Sequence, residues 1–229
     1  MEKVVTELEK HYPASSQVYV IDDDPAVLEV VVSQIRFAGY PAEGFSTANR
    51  FLQSKATDIS NSRVPVCLVT DIDMPGMSGL QLQAQFADRP NVVVVVMSGI
   101  ATPRDVVGAF KGGASDVLLK PFDGDQLIAA VAAALAKAST TAVAHLAASE
   151  WSALVKGLTR RQREVVVRVA QGMRNREIAE ELGIALRTVK LHRNKAMAQL
   201  GVTRIVELVH HVEHYGELQT SRVTVDQTE

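Results

Sequence analysis

The sequence lacks the features of several specialised protein classes. It has one cysteine among 229 residues, and its longest unbroken apolar run is the ten residues 127–136. A single cysteine excludes an intrachain disulfide or a cysteine-based metal site and favours a reducing compartment. Ten apolar residues are too few for a membrane-spanning helix, which needs about 20. The first ten residues mix acids with lysines, unlike a secretory signal, so we expect a cytoplasmic protein with no membrane segment.

A strong net charge is also absent, but the formal value of -2 hides a difference along the chain. Residues 1–138 carry 11 Lys and Arg against 16 Asp and Glu, whereas residues 139–229 carry 13 against 10. Within residues 156–204 the count is 12 against 4. Such a basic excess is typical of a surface that meets phosphate groups, although a solvated helix face has the same composition.

Apolar runs alternate with segments of helical period in residues 17–138. Val- and Ile-rich runs predict buried strands at 18–21, 66–69, 92–97 and 117–119, with a weaker strand at 41–45. Helical period is found at 25–38, 79–87, 103–111 and 126–137. The alternation predicts an α/β domain with a doubly wound, five-stranded parallel sheet.

Helical patterns dominate after residue 138. Thr159 as an N-cap, with Gly172 and Gly183 at helix ends, predicts helices near 160–171, 175–182, 186–199 and 203–214. We therefore expect a small all-α domain at 154–215, joined to the α/β domain by a partly helical linker at 139–153. Residues 1–16 and 216–229 are interpreted as polar tails.

Polar residues follow four of the predicted strands, at the edge where open parallel sheets bind ligands. One acid, Asp24, suffices to cap the helix that begins at Pro25. The other carboxylates would repel one another unless a cation lay among them, and carboxylate oxygens suit Mg²⁺. A remaining carboxylate can then accept a phosphoryl group, whose oxygens a lysine and a hydroxyl would contact. The residues at this edge are Asp22, Asp23, Asp71, Ser98 and Lys120.

The segments IDDD, LVTDIDMPGMSG, VVVMSG and DVLLKPF resemble the signature motifs of response-regulator receiver domains, over residues 17–138. The resemblance implies a flavodoxin-like fold in which a sensor histidine kinase phosphorylates Asp71. It also implies that Asp22 and Asp23 form the acidic pair of a Mg²⁺ site, with Asp23 as the direct ligand and the Asp73 backbone carbonyl completing it. The remaining matches are Ser98 as the switch hydroxyl, Lys120 as the phosphate-contacting lysine, and a cis bond before Pro121.

One position departs from the family pattern. The aromatic switch residue of receiver domains, three residues before the lysine, corresponds here to Val117. A valine cannot swing inward as an aromatic ring does, so the resemblance does not extend to the usual coupling of hydroxyl and ring.

The predicted helices at 175–182 and 186–199, joined by a short turn, have the arrangement of a helix-turn-helix. In the second helix, Val189, Ala196 and Leu200 mark a core face, whereas a separate stripe points elsewhere. In that stripe Lys190 suits guanine, Asn194 suits adenine and Leu191 suits a thymine methyl group. The expected phosphate contacts are Arg187, Thr188, Arg193 and Lys195.

Residues 154–214 resemble the LuxR-type DNA-binding domain of NarL/FixJ response regulators. The resemblance rests on Leu158-Thr159, Asn175, Glu177-Ile178-Ala179, Thr188-Val189-Lys190 and Leu200-Gly201-Val202. It implies a transcription regulator and not an enzyme. The implied partners are a sensor histidine kinase, promoter DNA, RNA polymerase and, after phosphorylation, a second copy of the chain.

Two alternatives stay open. Asp71 and Asp73 could serve as nucleophile and general acid of a phosphatase or phosphotransferase like the haloacid-dehalogenase enzymes. That fits poorly, because those enzymes place their second acidic pair after the nucleophile. The other alternative keeps both domains but makes the receiver a phosphorylation-independent dimerisation module, which Val117 favours.

Overall fold

A computed structural model describes residues 16–99 and 102–215 of the chain. The chain divides into two compact units, residues 1–144 and 145–229. The tails expected at 1–16 and 216–229 lie outside the described residues, apart from Ser16.

The first unit contains a five-stranded parallel sheet of order β2-β1-β3-β4-β5. Its strands are β1 (Gln17–Ile21), β2 (Ala42–Phe45), β3 (Val66–Asp71), β4 (Val92–Ser98) and β5 (Asp116–Leu119). The helices that follow them are α1 (Pro25–Phe37), α2 (Ala48–Asn61), α3 (Gly79–Ala84), α4 (Pro103–Lys111) and α5 (Gly124–Lys156). The sheet and its five strands are confirmed.

The helices cover both faces of this sheet. Successive strand side chains point to opposite faces, so Val18, Cys67 and Val95 pack with α1 and the first part of α5. Tyr19 and Leu68 pack on the other face with α2, α3 and α4. The domain is therefore doubly wound, as the alternation of strands and helices predicts.

The helices α2 and α3 differ from the sequence expectation. The helix α2 is absent from the predicted set because its sequence is largely polar, although Ala48, Phe51 and Ile59 are spaced as one buried helix face. The helix α3 ends at Ala84, three residues before the predicted end, and its C-cap is Gln85.

The helix α5 is much longer than the predicted 126–137. It runs through the expected linker at 139–153, and the boundary between the two units falls within it. Its length and composition alone would suffice to cross a membrane. However, Leu127, Val131 and Leu135 are buried in the core of the first unit, so this part of α5 is a core helix.

Within its described residues, 145–215, the second unit packs four helices and the end of α5 around a core of its own. Thr159 and Gln162 form the capping box of the first of these helices, and Gly172 and Gly183 have the positive φ values expected at helix ends. Trp151, from the expected linker, is buried in this core and stacks on His211. The four helices are α6 (Arg160–Ala170), α7 (Asn175–Leu182), α8 (Leu186–Gln199) and α9 (Ile205–Tyr215).

Glu207 caps the N-terminal end of α9. Its carboxylate accepts hydrogen bonds from the Thr203 backbone N–H and from the Arg204 side chain and backbone N–H, and together these lower the pKa of Glu207 from 4.5 to about 2. The unfolded state therefore binds more protons between these two values, and the stabilisation present above pH 4.5 is lost as the pH falls toward 2.

We expect Glu207→Gln to lower the stability of the second unit at pH 7, because the neutral amide binds these donors less strongly. The loss relative to wild type should shrink as the pH falls below 4.5. Denaturant unfolding at several pH values measures it, with the exposed Glu213→Gln as the control. An equal loss at pH 7 and at pH 3 would contradict this role.

Candidate functional site

The edge of the sheet at the carboxyl ends of its strands gathers side chains from distant parts of the chain. Lys120, just after β5, places its Nζ 2.7 Å from Asp22 Oδ2 and 2.7 Å from Asp71 Oδ1. Asp22 follows β1 and Asp71 ends β3, and these strands are neighbours in the sheet. The parallel pairing brings all three side chains to one edge.

This cluster holds two carboxylates and one ammonium group in a mostly buried place. Asp22 is 1% exposed and Asp71 is 6% exposed. Burial raises the pKa of Asp22 above its ordinary value, against the lowering effect of its hydrogen bonds from Lys120 and the Asp24 backbone N–H. Burial disfavours the charged form of Lys120, but its two carboxylate partners outweigh this and raise its pKa. The cluster thus carries a net negative charge that can attract a cation.

Local hydrogen bonds orient these carboxylates. Asp71 Oδ2 accepts a bond of 2.9 Å from the Asp73 backbone N–H, while Oδ1 binds Lys120. Asp24 caps α1 by accepting from the backbone N–H groups of Ala26 and Val27, as predicted, so Asp22 takes no part in capping. Asp22 and Asp71 therefore remain for other chemistry.

Ser98 ends β4 at the same edge of the sheet. It is 1% exposed, and its Oγ has no hydrogen-bond partner among residues 16–99 and 102–215. The Ser98 carbonyl accepts from the Lys120 backbone N–H at 2.8 Å, which places the two residues side by side. The peptide bond between Lys120 and Pro121 is cis, as the resemblance implies. A buried hydroxyl without a partner is suited to donate to an incoming oxygen.

The other two predicted metal ligands, Asp23 and Asp73, are not buried in the cluster of Asp22 and Asp71. The side chains of Asp23 and Asp73 are exposed, and within the described ranges no three His, Cys, Asp or Glu side chains are grouped closely enough to hold a metal ion. The donors at the edge nevertheless fit Mg²⁺ chemically, because Asp22 and Asp71 offer carboxylate oxygens and carry more negative charge than Lys120 neutralises.

Val117 lies in β5 and is half-buried. It packs against the apolar layer that contains Val96 and Ala109, on the face covered by α4. The Val117 side chain is therefore part of the apolar core, and no aromatic ring stands at this position of the site.

The second unit presents a different surface. The helices α7 and α8 meet at Gly183, whose φ of +63° allows the sharp turn between them. Val189, Ala196 and Met197 of α8 are buried. The predicted outer stripe is exposed along its whole length, and it consists of Arg187, Lys190, Leu191, Asn194 and Ala198.

The four predicted phosphate contacts are not equivalent. Arg187 and Lys195 are exposed, and Thr188 is half-buried. Arg193 is also half-buried and donates a hydrogen bond from Nη1 to Asn175 Oδ1 at 3.1 Å. The sequence offered a signal for this difference, since Arg193 follows the buried Val189 by four residues and so lies on the inner stripe.

Comparisons with known proteins identify both domains. Residues 18–132 match the model of the response regulator receiver domain, and residues 156–212 match that of the bacterial regulatory proteins of the luxR family. Transcriptional regulatory protein FixJ of Azorhizobium caulinodans is 36% identical over 201 residues, which cover 86% of this chain and 92% of that protein. Response regulator protein TodT of Pseudomonas putida is 36% identical over 196 residues, which cover 85% and 84%.

Two solved structures also resemble this chain over most of its length. The response regulator StyR matches with a TM-score of 0.74 and 35% identity over 88% of this chain and 100% of the other. Full-length FixJ from B. japonicum matches with a TM-score of 0.51 and 31% identity over 88% and 97%. The chain belongs to the NarL/FixJ family of response regulators. It is a two-component transcription regulator with a receiver domain and a LuxR-type helix-turn-helix domain.

Proposed function

We propose that a sensor histidine kinase phosphorylates Asp71 and that the phosphorylated chain regulates transcription in the cytoplasm by binding promoter DNA through α8. The observation that carries this proposal is the contact of Lys120 with Asp22 and Asp71 at the carboxyl ends of the strands. It makes Asp71 a mostly buried, oriented carboxylate next to a cation, which is what a phosphoryl acceptor requires.

The transfer is an in-line substitution at phosphorus. An Asp71 carboxylate oxygen forms the new O–P bond, and the N–P bond of the kinase phosphohistidine breaks, with its electron pair going to the imidazole. Mg²⁺, held by Asp22, Asp23, Asp71 and the Asp73 carbonyl, would offset the charge of the phosphoryl oxygens. Lys120 is adjacent to the accepting carboxylate and can bind a phosphoryl oxygen, and Ser98 Oγ can donate to another.

DNA recognition is assigned to the exposed stripe of α8. Lys190, Leu191 and Asn194 are proposed to contact base edges in the major groove. Arg187, Lys195 and Thr188 are proposed to contact phosphates, which position the helix without reading sequence. RNA polymerase is proposed as a further partner of the promoter-bound chain.

Dimerisation after phosphorylation is supported by an exposed apolar set at one edge of the receiver. Val107 and Phe110 on α4 are 51% and 50% exposed, and Leu119 on the edge strand β5 is 57% exposed. Phe110→Ser is expected to weaken self-association of the phosphorylated chain about tenfold or more, since a buried aromatic ring contributes over 1 kcal/mol. Sedimentation measures it, with the exposed Phe37→Ser on α1 as the control. Equal loss in both variants would remove the support for this surface.

The assignment of Asp71 is tested by phosphorylation with acetyl phosphate and Mg²⁺. Asp71→Asn should gain no phosphoryl group, because an amide is not nucleophilic. Asp73→Asn, two residues away and exposed, should be phosphorylated like wild type, since only its backbone is assigned a role. Intact mass spectrometry distinguishes the two. Phosphorylation of Asp71→Asn to the wild-type extent would overturn the assignment.

Genome-wide mapping of bound sites in cells tests the regulatory part of the proposal. Wild type should occupy promoters that Asp71→Asn does not. Equal occupancy would favour the alternative in which the receiver is a phosphorylation-independent dimerisation module, which Val117 supports. Multiple-turnover release of phosphate from small phosphoesters would instead favour a phosphatase.

A further inference from the structure

Arg193 belongs to the inner face of α8, although its charge suggests a surface residue. It follows Val189 by four residues and precedes Ala196 and Met197 by three and four. Because an α-helix has 3.6 residues per turn, these four positions share one face, and the other three are buried in the core of the second unit. Arg193 is therefore half-buried, whereas its neighbour Asn194 is exposed.

A cation on an inner helix face is costly unless its N–H groups are hydrogen-bonded. Among residues 16–99 and 102–215, no Asp or Glu forms an ion pair with Arg193. Its Nη1 donates instead to the side-chain carbonyl of Asn175, at 3.1 Å. Asn175 is the first residue of α7 and is itself half-buried. The contact thus joins the two helices of the helix-turn-helix, 18 residues apart in the chain.

This bond adds directionality to the packing of α8 on α7. The buried Ile178 and Val189 hold the two helices together, but apolar contacts are non-directional and tolerate a small rotation of one helix. A hydrogen bond weakens when its angle changes, so it opposes that rotation. Asn194 and Lys190 lie within three residues of Arg193 on the exposed stripe. Rotation of α8 about its axis would move both away from the base edges they are proposed to read.

We propose that Arg193 is a positioning residue, which sets the orientation of α8 through Asn175 and so determines sequence specificity without contacting a DNA phosphate. This inference rests on the proposed DNA-binding function. It differs from the sequence expectation, which assigns Arg193 to the phosphate backbone.

Salt dependence separates the two roles. Each phosphate contact that is removed makes the negative slope of log K against log salt less steep by about 0.9, whereas loss of a positioning contact lowers the preference for the correct sequence. The full chain, phosphorylated with acetyl phosphate and Mg²⁺, is measured at several salt concentrations on two duplexes of equal length. One is selected by wild type from a random library, and the other is an unselected random sequence.

Asn175→Leu removes the acceptor without changing charge. It should lower the ratio of the affinities for the selected and the random duplex by about tenfold, which corresponds to the loss of one hydrogen bond to a charged group. The dependence of affinity on salt should stay unchanged. Arg193→Met should lower the ratio similarly, and the double variant should lose no more than either single variant, because the two residues act as one unit. Asn175→Asp, which keeps the acceptor, should retain the wild-type ratio.

Lys195→Met is the matched control, since Lys195 is exposed on the same helix. It should make the slope of log K against log salt less steep by about 0.9 and leave the affinity ratio of the two duplexes unchanged. If Asn175→Leu fails to fold, Arg193→Met and Asn175→Asp still decide the question. A reduced slope with an unchanged ratio in Arg193→Met, or a wild-type ratio in folded Asn175→Leu, would overturn the positioning role alone. A wild-type chain that selects no duplex would overturn the proposed function.

Discussion

Gly79→Ala is expected to destabilise the receiver domain by about 3 kcal/mol and to prevent phosphorylation of Asp71. A Cβ at Gly79 would overlap the backbone carbonyl oxygen of Asp71 and lie 3.0 Å from Thr70 Oγ1. The obstacle is space, because the φ of Gly79 is not positive and other residues adopt this conformation. Gly79 begins α3, so α3 or the end of β3 has to move.

The end of β3 is poorly able to move. This strand is paired on both sides, with β1 and β4, and the Ile72 backbone N–H just after it donates to the Met97 carbonyl. A shift of Asp71 would also disturb its contact with Lys120. One added methyl group should therefore lower both the stability of the receiver domain and the phosphorylation of Asp71.

Gly108→Ala is the matched control in the same domain. Its Cβ would meet nothing closer than the Leu80 Cδ1 atom at 3.8 Å. Gly108 lies inside α4, where alanine is favoured over glycine by about 1 kcal/mol, so this variant should be equally or more stable. Denaturant unfolding and phosphorylation by acetyl phosphate measure both variants. A wild-type unfolding midpoint for Gly79→Ala would show that the close approach at Asp71 is not restrictive.

The second large effect is expected for Lys120→Met. The substitution leaves the buried carboxylates of Asp22 and Asp71 without their shared cation, and breaking a buried ion pair in this way costs about 3 kcal/mol. Phosphorylation should also be lost or strongly slowed, because the ammonium that faces the accepting carboxylate is removed. Thermal unfolding and the phosphorylation assay test the two parts separately.

The loss of stability should depend on pH and on Mg²⁺. Burial already raises the pKa of Asp22 in the folded state above its ordinary value. At pH values between the ordinary pKa and the raised one, the folded state binds more protons than the unfolded state. The stability of the domain therefore falls as the pH rises between these two pKa values. Without Lys120 the pKa of Asp22 rises further, and the difference in stability from wild type should shrink as the pH is lowered from 7. Added Mg²⁺ should stabilise Lys120→Met more than wild type, because a bound cation replaces the missing charge.

Lys111→Met serves as the control for loss of a lysine, since Lys111 is exposed at the end of α4. It should match wild type in stability, phosphorylation and response to Mg²⁺. A Lys120→Met protein as stable as Lys111→Met at pH 7 would show that the buried carboxylates do not need this partner.

Most of the architecture follows from local patterns. The Val-rich runs predict the strands correctly because each is short, apolar and bounded by turn residues, and Thr159 and Gly183 mark helix ends by chemistry that acts within one turn. The helix α2 is missed because polar residues outnumber apolar ones in it, although Phe51, Leu52 and Ile59 pack on the core from one face. The helix α5 extends beyond its predicted end because residues 139–153 are Ala-rich and continue the helix where a linker is expected.

The candidate site is predictable as a set of residue types at strand ends, but its contacts are not. That Lys120 binds both Asp22 and Asp71 depends on the order of the strands in the sheet, which joins residues 98 and 49 positions apart. The restriction at Gly79 likewise arises only where α3 meets the end of β3.

The sequence alone determined which residues can carry the chemistry: an acidic set, a hydroxyl and a lysine after the strands, and a basic stripe along one helix. Local periodicity and capping suffice for this because they act between residues close in the chain. The tertiary structure decided which of these residues meet. In the folded chain, Lys120 contacts two carboxylates, and Arg193, on the inner face of α8, donates to Asn175 of α7. Such contacts between distant residues depend on strand order and helix packing.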